Sequence, residues 1–323
     1  MRAAILTSPD HSHPPKLELV DTLDPPVPSP GQVLIKVDAT SITPAEYTWP
    51  ATWTDRAGEP RERPIVLGHD LSGVIHSLAL GDSTTFQPGD AVYALTDFHR
   101  NGAQAEYAVA NLSELARRPR NLDPASAAGV PLAALTAYQA LVEHGDVREG
   151  MRVLVHGGAG GVGMFAVQMA KRFGARVLAT ASAEKVGFVK SIGADEVVDY
   201  RMERFEDVVG KVDVVVDTAG GETLRRSYSV VVPGGVLVTV ETEAVDMGLV
   251  DVKMADKLGI QVKTFIVRGD GRQLEKITDM IEEGHVKVFV DRVFPLKRAM
   301  EAVEYGEGKN KGIGKTIIKL MHD

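Results

Sequence analysis

Gly158, Gly160 and Gly163 stand at the spacing G-x-G-x-x-G inside Val153-Leu154-Val155-His156-Gly157-Gly158-Ala159-Gly160-Gly161-Val162-Gly163. An apolar, β-favouring run leads into them and a helical run follows. Glycine at these positions permits a tight turn, a close approach of backbone to a pyrophosphate, and close helix–strand contact. The start of a helix adds unpaired N–H groups and the positive end of its dipole. The motif alone is also what an ordinary glycine-rich turn looks like; between a strand and a helix it points to a dinucleotide. Gly158, Ala159, Gly160, Gly161, Val162 and Gly163 are the expected pyrophosphate loop. The tip of the next strand decides which dinucleotide. An acid about 20 residues past the first glycine would bind a ribose 2′-hydroxyl. Here the chain reads Leu178-Ala179-Thr180-Ala181-Ser182-Ala183-Glu184-Lys185. The hydroxyls of Thr180 and Ser182 and the cation of Lys185 suit a 2′-phosphate, and so NADPH. Two plainer accounts stand beside this one. Ser182 caps the next helix while Lys185 is merely solvated, or a shift of one residue brings Glu184 to the tip and reverses the sign.

Such a loop needs a scaffold of alternating strands and helices, and the chain supplies one from about residue 123. Segments 124–130 and 131–143 are rich in Ala and Leu and read as helices. Strands are predicted at 152–156, 175–179, 196–199, 212–217, 235–240 and 260–267, with helices at 161–173, 183–192, 204–209 and 221–231. The Val-rich run at 212–216 is too continuous for a half-exposed strand and suits a parallel strand buried on both faces. Six strands with intervening helices imply a doubly wound parallel sheet of the α/β class. Before it, β-favouring runs at 2–7, 16–20 and 33–42 are separated by turns such as Gln87-Pro88-Gly89-Asp90, which predicts a compact, barrel-like β domain. After about residue 268, Leu274, Ile277, Met280 and Ile281 mark one face of a helix at 273–283, and a strand at 315–320 closes the chain. This tail has no place in a sheet already complete and is expected to rejoin the first domain. The expected division is 1–122, 123–268 and 269–323.

A length of 323 residues, 44% of them hydrophobic and 25% charged, suits about two soluble domains. A net charge of −8 argues against a polyanion partner; the densest cationic cluster, Arg117-Arg118-Pro119-Arg120, reads as a solvated loop. Absence of cysteine removes disulfides, thiolate nucleophiles and cysteine metal ligands. No apolar run approaches the ~18 residues a membrane span needs. Ala3-Ala4-Ile5-Leu6 is too short for the core of a signal peptide, so a cytoplasmic address is expected.

The chain resembles the medium-chain dehydrogenase/reductase superfamily, and within it the quinone oxidoreductase (zeta-crystallin-like) branch. The residues that carry the likeness are Pro28-Ser29-Pro30-Gly31-Gln32-Val33-Leu34-Ile35-Lys36-Val37, Gly68-His69-Asp70-Leu71-Ser72-Gly73-Val74, Pro88-Gly89-Asp90-Ala91-Val92-Tyr93, the helix at 132–141, the glycine loop with Ala166-Val167-Gln168-Met169-Ala170-Lys171, and Gly314-Lys315. The resemblance implies a GroES-like catalytic domain carrying an inserted Rossmann domain. It implies that Ser182, Lys185 and Tyr200 hold the 2′-phosphate, and that Thr218, Ala219 and Gly220 of Asp217-Thr218-Ala219-Gly220-Gly221 lie beside the adenosine and ribose. Val240 and Glu241, with Thr242, match the end of the fifth strand. Phe265, Ile266 and Val267 match the backbone that meets the nicotinamide amide, Thr136 a residue near the nicotinamide, and Lys315 the C-terminal cofactor lysine. Pairing into a homodimer through the edge strand Ile260-Gln261-Val262-Lys263-Thr264-Phe265 is expected, since an apolar edge left open is a liability.

Departures from the resemblance are equally informative. Zinc-dependent relatives carry a Cys near position 41, a His followed by Glu, and a later Cys. This chain has Ser41, then His69-Asp70, and only residues 94–104 where a structural zinc lobe would sit, so no metal is expected. A lone His69 reads more simply as structural. In Ser41-Ile42-Thr43-Pro44-Ala45-Glu46-Tyr47-Thr48, Thr43 and Glu46 replace the Asn and Asp of many quinone-reductase relatives. The hydroxyls of Tyr47 and Thr43 are the candidate catalytic donors. Tyr47, Trp49 and Trp53 either wall a substrate pocket or pack at a domain edge. The expected reaction is NADPH-dependent hydride transfer to a quinone or an α,β-unsaturated carbonyl compound. The rivals are an enoyl reductase acting on a tethered acyl chain and a non-catalytic NADPH-binding sensor or structural protein.

Overall fold

The computed structural model describes residues 1–7, 15–79, 84–240, 248, 250–308 and 311–320. Two compact units emerge. One comprises Met1–Leu132, Arg268–Glu283 and Val288–Asp323; the other comprises Ala133–Val267 with Gly284–Lys287.

The first unit is rich in strands: β1 (Ala3–Leu6), β2 (Leu17–Val20), β3 (Gln32–Ser41), β4 (Ile65–Val66), β5 (Asp70–Leu78), β6 (Ala91–Leu95), β7 (Tyr107–Asn111) and β8 (Leu115–Arg117), with a short helix α1 (Pro50–Trp53) and then α2 (Pro124–Ala128). Asp123 caps α2 through the amides of Ala125 and Ser126, with Pro124 at its first turn. Long β3 is the hub, antiparallel to both β5 and β7. Its inward residues Val33, Ile35 and Val37 are fully buried and join Leu71, Ile75 and Val92 in one core. Strand β5 escapes the sequence reading because Asp70, Ser72 and Gly73 break the apolar alternation. Each arginine of the basic cluster faces a carboxylate: Arg117 on Asp90 at 2.9 Å, Arg118 on Asp38 at 3.3 Å and Arg120 on Glu282 at 2.7 Å.

Helix α3 (Pro131–Tyr138) runs on into a wider π-type turn over Gln139–His144. The other unit then alternates β9 (Arg152–Val155), α4 (Gly161–Arg172), β10 (Arg176–Ala181), α5 (Val186–Ser191), β11 (Glu196–Asp199), α6 (Phe205–Val208), β12 (Val212–Asp217), α7 (Gly221–Ser227), β13 (Val231–Thr239), α8 (Val252–Leu258) and β14 (Gln261–Thr264). The sheet order is β11-β10-β9-β12-β13-β14, parallel throughout. This is the doubly wound order expected of the six strands. Val214, Val215 and Val216 are at most 2% exposed, as a central parallel strand requires.

Several boundaries differ from the expectation. Helix α7 stops at Ser227 and β13 begins at Val231, so the predicted helix at 221–231 is too long; Pro233-Gly234 sits inside the strand, at a register shift against β12. Strand β14 ends at Thr264, leaving 265–267 beyond it. The sequence reading also misses α8. The chain returns through α9 (Gly271–Glu282), β15 (Val290–Pro295), α10 (Ala299–Glu307) and β16 (Lys315–Lys319). β16 pairs antiparallel with β3, which ties the tail to the first unit.

Candidate functional site

The glycine loop leaves β9 at His156 and enters α4 at Gly161. Gly157 turns with φ +69°, and Gly160 N–H donates to Gly157 O at 2.8 Å. A Cβ on Gly163 would lie 2.1 Å from Gly157 O, so helix and loop touch backbone to backbone. Gly160 is the N-cap of α4 and no side chain caps that end. The first-turn amides of this twelve-residue helix are therefore not taken up by a side-chain cap, as an anion site at a helix N-terminus requires.

The tips of β10 and β11 lie side by side, with Ala181 opposite Asp199. Ser182 occupies the N-cap position of a 3-10 turn over Ala183–Lys185 but makes no side-chain cap bond. Tyr200 is 55% exposed, and the Arg201 guanidinium stacks on its ring at 5.8 Å. Arg201 also pairs with Glu184 at 3.2 Å. Hydrogen bonds from Glu184's own amide and from Ser182 hold its carboxyl below the usual carboxylate range. The acid that could have reversed the sign of this corner is thus matched by a cation that sequence reading passed over.

Thr180 is a correction. It was expected to offer its hydroxyl to the 2′-phosphate, but β10 continues to Ala181 and buries it. Its Oγ1 instead accepts Gly157 N–H at 3.1 Å and meets His156 Nδ1 at 3.2 Å.

Around the end of β12, buried Asp217 accepts the amides of Ala219 and Gly220 at 3.2 Å and the Thr239 hydroxyl at 2.9 Å. Thr218 donates to His156 O at 2.8 Å. Val240 N–H donates to Asp217 O at 3.0 Å. Glu241 and Thr242 lie outside the described residues. Phe265 stacks on His144 with ring centres 4.3 Å apart, Ile266 is 69% exposed, and Val267 is half-buried. Thr136 is buried on α3.

In the strand-rich unit, Thr43 is half-buried and Tyr47 is 2% exposed. The Tyr47 hydroxyl donates to Glu307 Oε2 at 3.3 Å, and Ala45 N–H donates to Glu307 Oε1 at 3.0 Å. Glu307, on α10, thus braces the candidate catalytic loop. Burial and the Glu307 charge push the Tyr47 phenol up to about 12. Trp53 is core, its Nε1–H donating to Tyr47 O at 2.7 Å. Trp49 stays half-exposed, edge-on to Phe98 at 5.3 Å.

His69 is fully enclosed, with Nδ1 3.2 Å from Thr96 Oγ1 and Nε2 3.5 Å from Glu46 Oε1. Burial, aided by nearby Arg61, lowers its pKa to about 3, so it is a neutral structural side chain. Ser41 donates to Asp70 Oδ2. Asp70 also accepts Leu132 N–H at 2.5 Å and lies 3.5 Å from the buried ammonium of Lys315. Among the described residues, no group of three or more His, Cys, Asp or Glu side chains is placed to hold a metal ion.

Glu46 accepts Gly68 N–H at 2.6 Å. Burial raises its pKa from 4.5 to about 7, against the pull of that amide. Between 4.5 and about 7 the folded chain keeps a proton that the unfolded chain has lost. Stability fully present below the lower value is therefore lost as pH rises to the higher one. Glu46→Gln keeps an acceptor for Gly68 and does not titrate. Its stability relative to wild type should climb by about 1 kcal/mol per pH unit through this window and then level off. Urea midpoints at fixed pH read this out; a flat difference would mean that folded Glu46 is ionised throughout.

The family model described as alcohol dehydrogenase GroES-like domain matches residues 29–120, and the one described as zinc-binding dehydrogenase matches residues 192–318. NAD(P)H oxidoreductase RTN4IP1, mitochondrial, of Danio rerio is 32% identical, over 91% of this chain and 85% of its own. NADPH-dependent alkenal/one oxidoreductase, chloroplastic, of Arabidopsis thaliana is 34% identical, over 94% of this chain and 75% of its own. Among solved structures, the quinone oxidoreductase from Coxiella burnetii superposes with a TM-score of 0.87 at 29% identity, over 99% of each chain.

Proposed function

We propose, for a chain that belongs to the medium-chain dehydrogenase/reductase superfamily and its quinone oxidoreductase branch, an NADPH-dependent reduction of a quinone or an α,β-unsaturated carbonyl compound. The chain is an oxidoreductase. The observation that carries the choice of cofactor is the pairing of an uncapped glycine loop on α4 with Ser182, Lys185, Tyr200 and Arg201 at the adjoining strand tips. Bound there, the nicotinamide supplies a hydride. The amides of residues 158–163 hold the pyrophosphate, and Ser182, Lys185 and Tyr200 hold the 2′-phosphate. Thr218, Ala219 and Gly220 lie beside the adenosine and ribose, and Val240, at the end of the fifth strand, is a further cofactor contact. Thr136, Phe265, Ile266 and Val267 orient the nicotinamide end; Lys315, expected to touch the cofactor, is buried with its ammonium 3.5 Å from Asp70. Thr43 and Tyr47 donate hydrogen bonds to the substrate oxygen as negative charge grows on it, and water returns the proton.

Lys185→Ala should weaken NADPH binding roughly ten- to a hundred-fold, the worth of a charge-assisted hydrogen bond, and leave NADH nearly unchanged. Equal losses for the two would make Lys185 a structural residue.

The reaction is proposed to be zinc-independent, supported by the Ser41, His69 and Asp70 environments described above. The test of the whole reading is NADPH oxidation against a panel of quinones, enals and enoyl thioesters, with and without chelator, alongside elemental analysis. Turnover of quinones or enals that survives the chelator is expected. Turnover confined to enoyl thioesters would make the chain an enoyl reductase, binding without turnover would make it a sensor, and one zinc per chain lost together with activity would overturn zinc independence. A homodimer through the β14 edge, checked by light scattering, is the proposed assembly. Among the described residues no helix is long and apolar enough to cross a membrane. A cytoplasmic address is proposed, to be set by fractionation against the mitochondrial and chloroplastic names of the relatives.

A further inference from the structure

His156, directly after β9, has a fully buried side chain that the reaction does not use. Its two ring nitrogens meet two hydroxyls, Nδ1 to Thr180 Oγ1 at 3.2 Å and Nε2 to Ser227 Oγ at 2.9 Å. The hydrogens on this path have one consistent arrangement. Ser227 Oγ lies 2.7 Å from Thr223 O; a carbonyl only accepts, so the single serine hydrogen points there. Ser227 must therefore accept from His156, which places the imidazole hydrogen on Nε2. Nδ1 is then an acceptor, and the Thr180 hydroxyl donates to it. Thr180 in turn accepts Gly157 N–H at 3.1 Å. The relay runs from Gly157 N–H through Thr180 and His156 to Ser227 and the Thr223 carbonyl on α7, with every hydrogen used once.

We propose that His156, held as its neutral Nε2–H tautomer, is a positioning residue that fixes the first amide of the glycine loop and ties the loop to α7. The inference rests on the dinucleotide reading given under Proposed function. Three further contacts surround the same turn. Thr218 donates to His156 O, and Gly158 N–H donates to Thr180 O at 2.9 Å. The His156 ring stands edge-on to Phe205 at 4.5 Å. Gly157 needs this fixing because its φ of +69° belongs to a region that an unsupported glycine leaves freely. Burial, helped by the Arg226 charge, lowers the His156 pKa to about 3, so the relay stays intact across neutral pH.

The test has two arms, both on the full chain. In the first, histidine is ¹⁵N-labelled and the His156 signals are identified by their loss in His156→Gln. A neutral ring with its hydrogen on Nε2 is expected between pH 5 and 8; a hydrogen on Nδ1 overturns the relay. In the second arm, NADPH dissociation constants are measured by cofactor fluorescence beside melting temperatures. Thr180→Val and His156→Gln should each weaken NADPH about five- to tenfold. The double variant should bind no worse than the weaker single one, because both cut one path. Thr180→Ser, which keeps the hydroxyl, should bind like wild type. Additive losses, or full affinity in Thr180→Val, sink the proposal. Wild-type protein that binds no NADPH would remove the dinucleotide reading and this inference together, whereas wild-type binding with unaffected variants would remove this inference alone.

Discussion

Gly163→Ala should abolish NADPH binding, raising the dissociation constant at least a hundredfold, about 2.7 kcal/mol. The added methyl group would lie 2.1 Å from Gly157 O, 2.8 Å from Gly157 C and 3.0 Å from Gly158 Cα. All three neighbours are backbone of the loop itself, so no flexible side chain can swing aside. Either α4 withdraws from the loop or the loop opens, and both separate the amides that must converge on one pyrophosphate. Gly158 offers a graded comparison, since its Cβ would meet the side-chain carbons Ala179 Cβ and Val189 Cγ1, each at 3.0 Å. Gly187 on α5 is the control, with nothing within 4 Å of a Cβ. Gly187→Ala should leave affinity unchanged and stabilise the helix by up to ~1 kcal/mol. Calorimetric titration with NADPH, run beside thermal melts, checks all three. Binding by Gly163→Ala within tenfold of wild type would mean that the loop is not the pyrophosphate site.

What the sequence discloses and what it hides divide along a physical line. Burial on both faces writes itself into a run of valines, so β12 is legible residue by residue. Gly163 in the loop is legible because backbone contact on that side leaves no room for a Cβ. Strand β5 is not, since Asp70 sits in the sheet only by virtue of partners supplied from elsewhere, and Ser72 is buried with no hydrogen-bond partner for its hydroxyl among the described residues. Asp70 meets Ser41 from β3, Leu132 from α3 and Lys315 from β16, positions far apart in sequence with no shared period. The same holds for Glu46 with His69 and for Tyr47 with Glu307. Thr180 shows how small an error matters. Ending β10 at 179 leaves its hydroxyl free for a phosphate, while the observed end at Ala181 turns it under the loop. Arg201 and His156 stood in plain view, but a guanidinium over a tyrosine ring and a relay through two hydroxyls exist only once strands are side by side.

Tyr47→Phe and Thr43→Val should each lower turnover about a hundred- to a thousandfold, the usual cost of deleting a preorganised donor, ~2.7–4 kcal/mol, while leaving NADPH affinity intact. With no zinc in the proposed reaction, another group must meet the negative charge that grows on the substrate oxygen as hydride arrives at the β-carbon. A phenol shifted up to about 12 stays protonated across any assay pH. Tyr47 is therefore suited to donate a hydrogen bond and not to give up its proton, and water completes the product. Its single hydrogen now rests on Glu307 at 3.3 Å, long for an O–H···O bond, whose usual length is about 2.7–2.8 Å. That contact is weak enough to exchange for a stronger acceptor such as an enolate oxygen. Glu307→Gln should therefore keep most of the turnover that Tyr47→Phe loses. Deuteride transfer fixes the reaction class independently of the donors. Label on the β-carbon of an enone product is the expected result, and label on the carbinol carbon would make the chain a ketone reductase. If the label appears on the β-carbon but neither hydroxyl variant slows turnover, the donors are not Thr43 and Tyr47, and most of the rate comes from holding the two reactants in line.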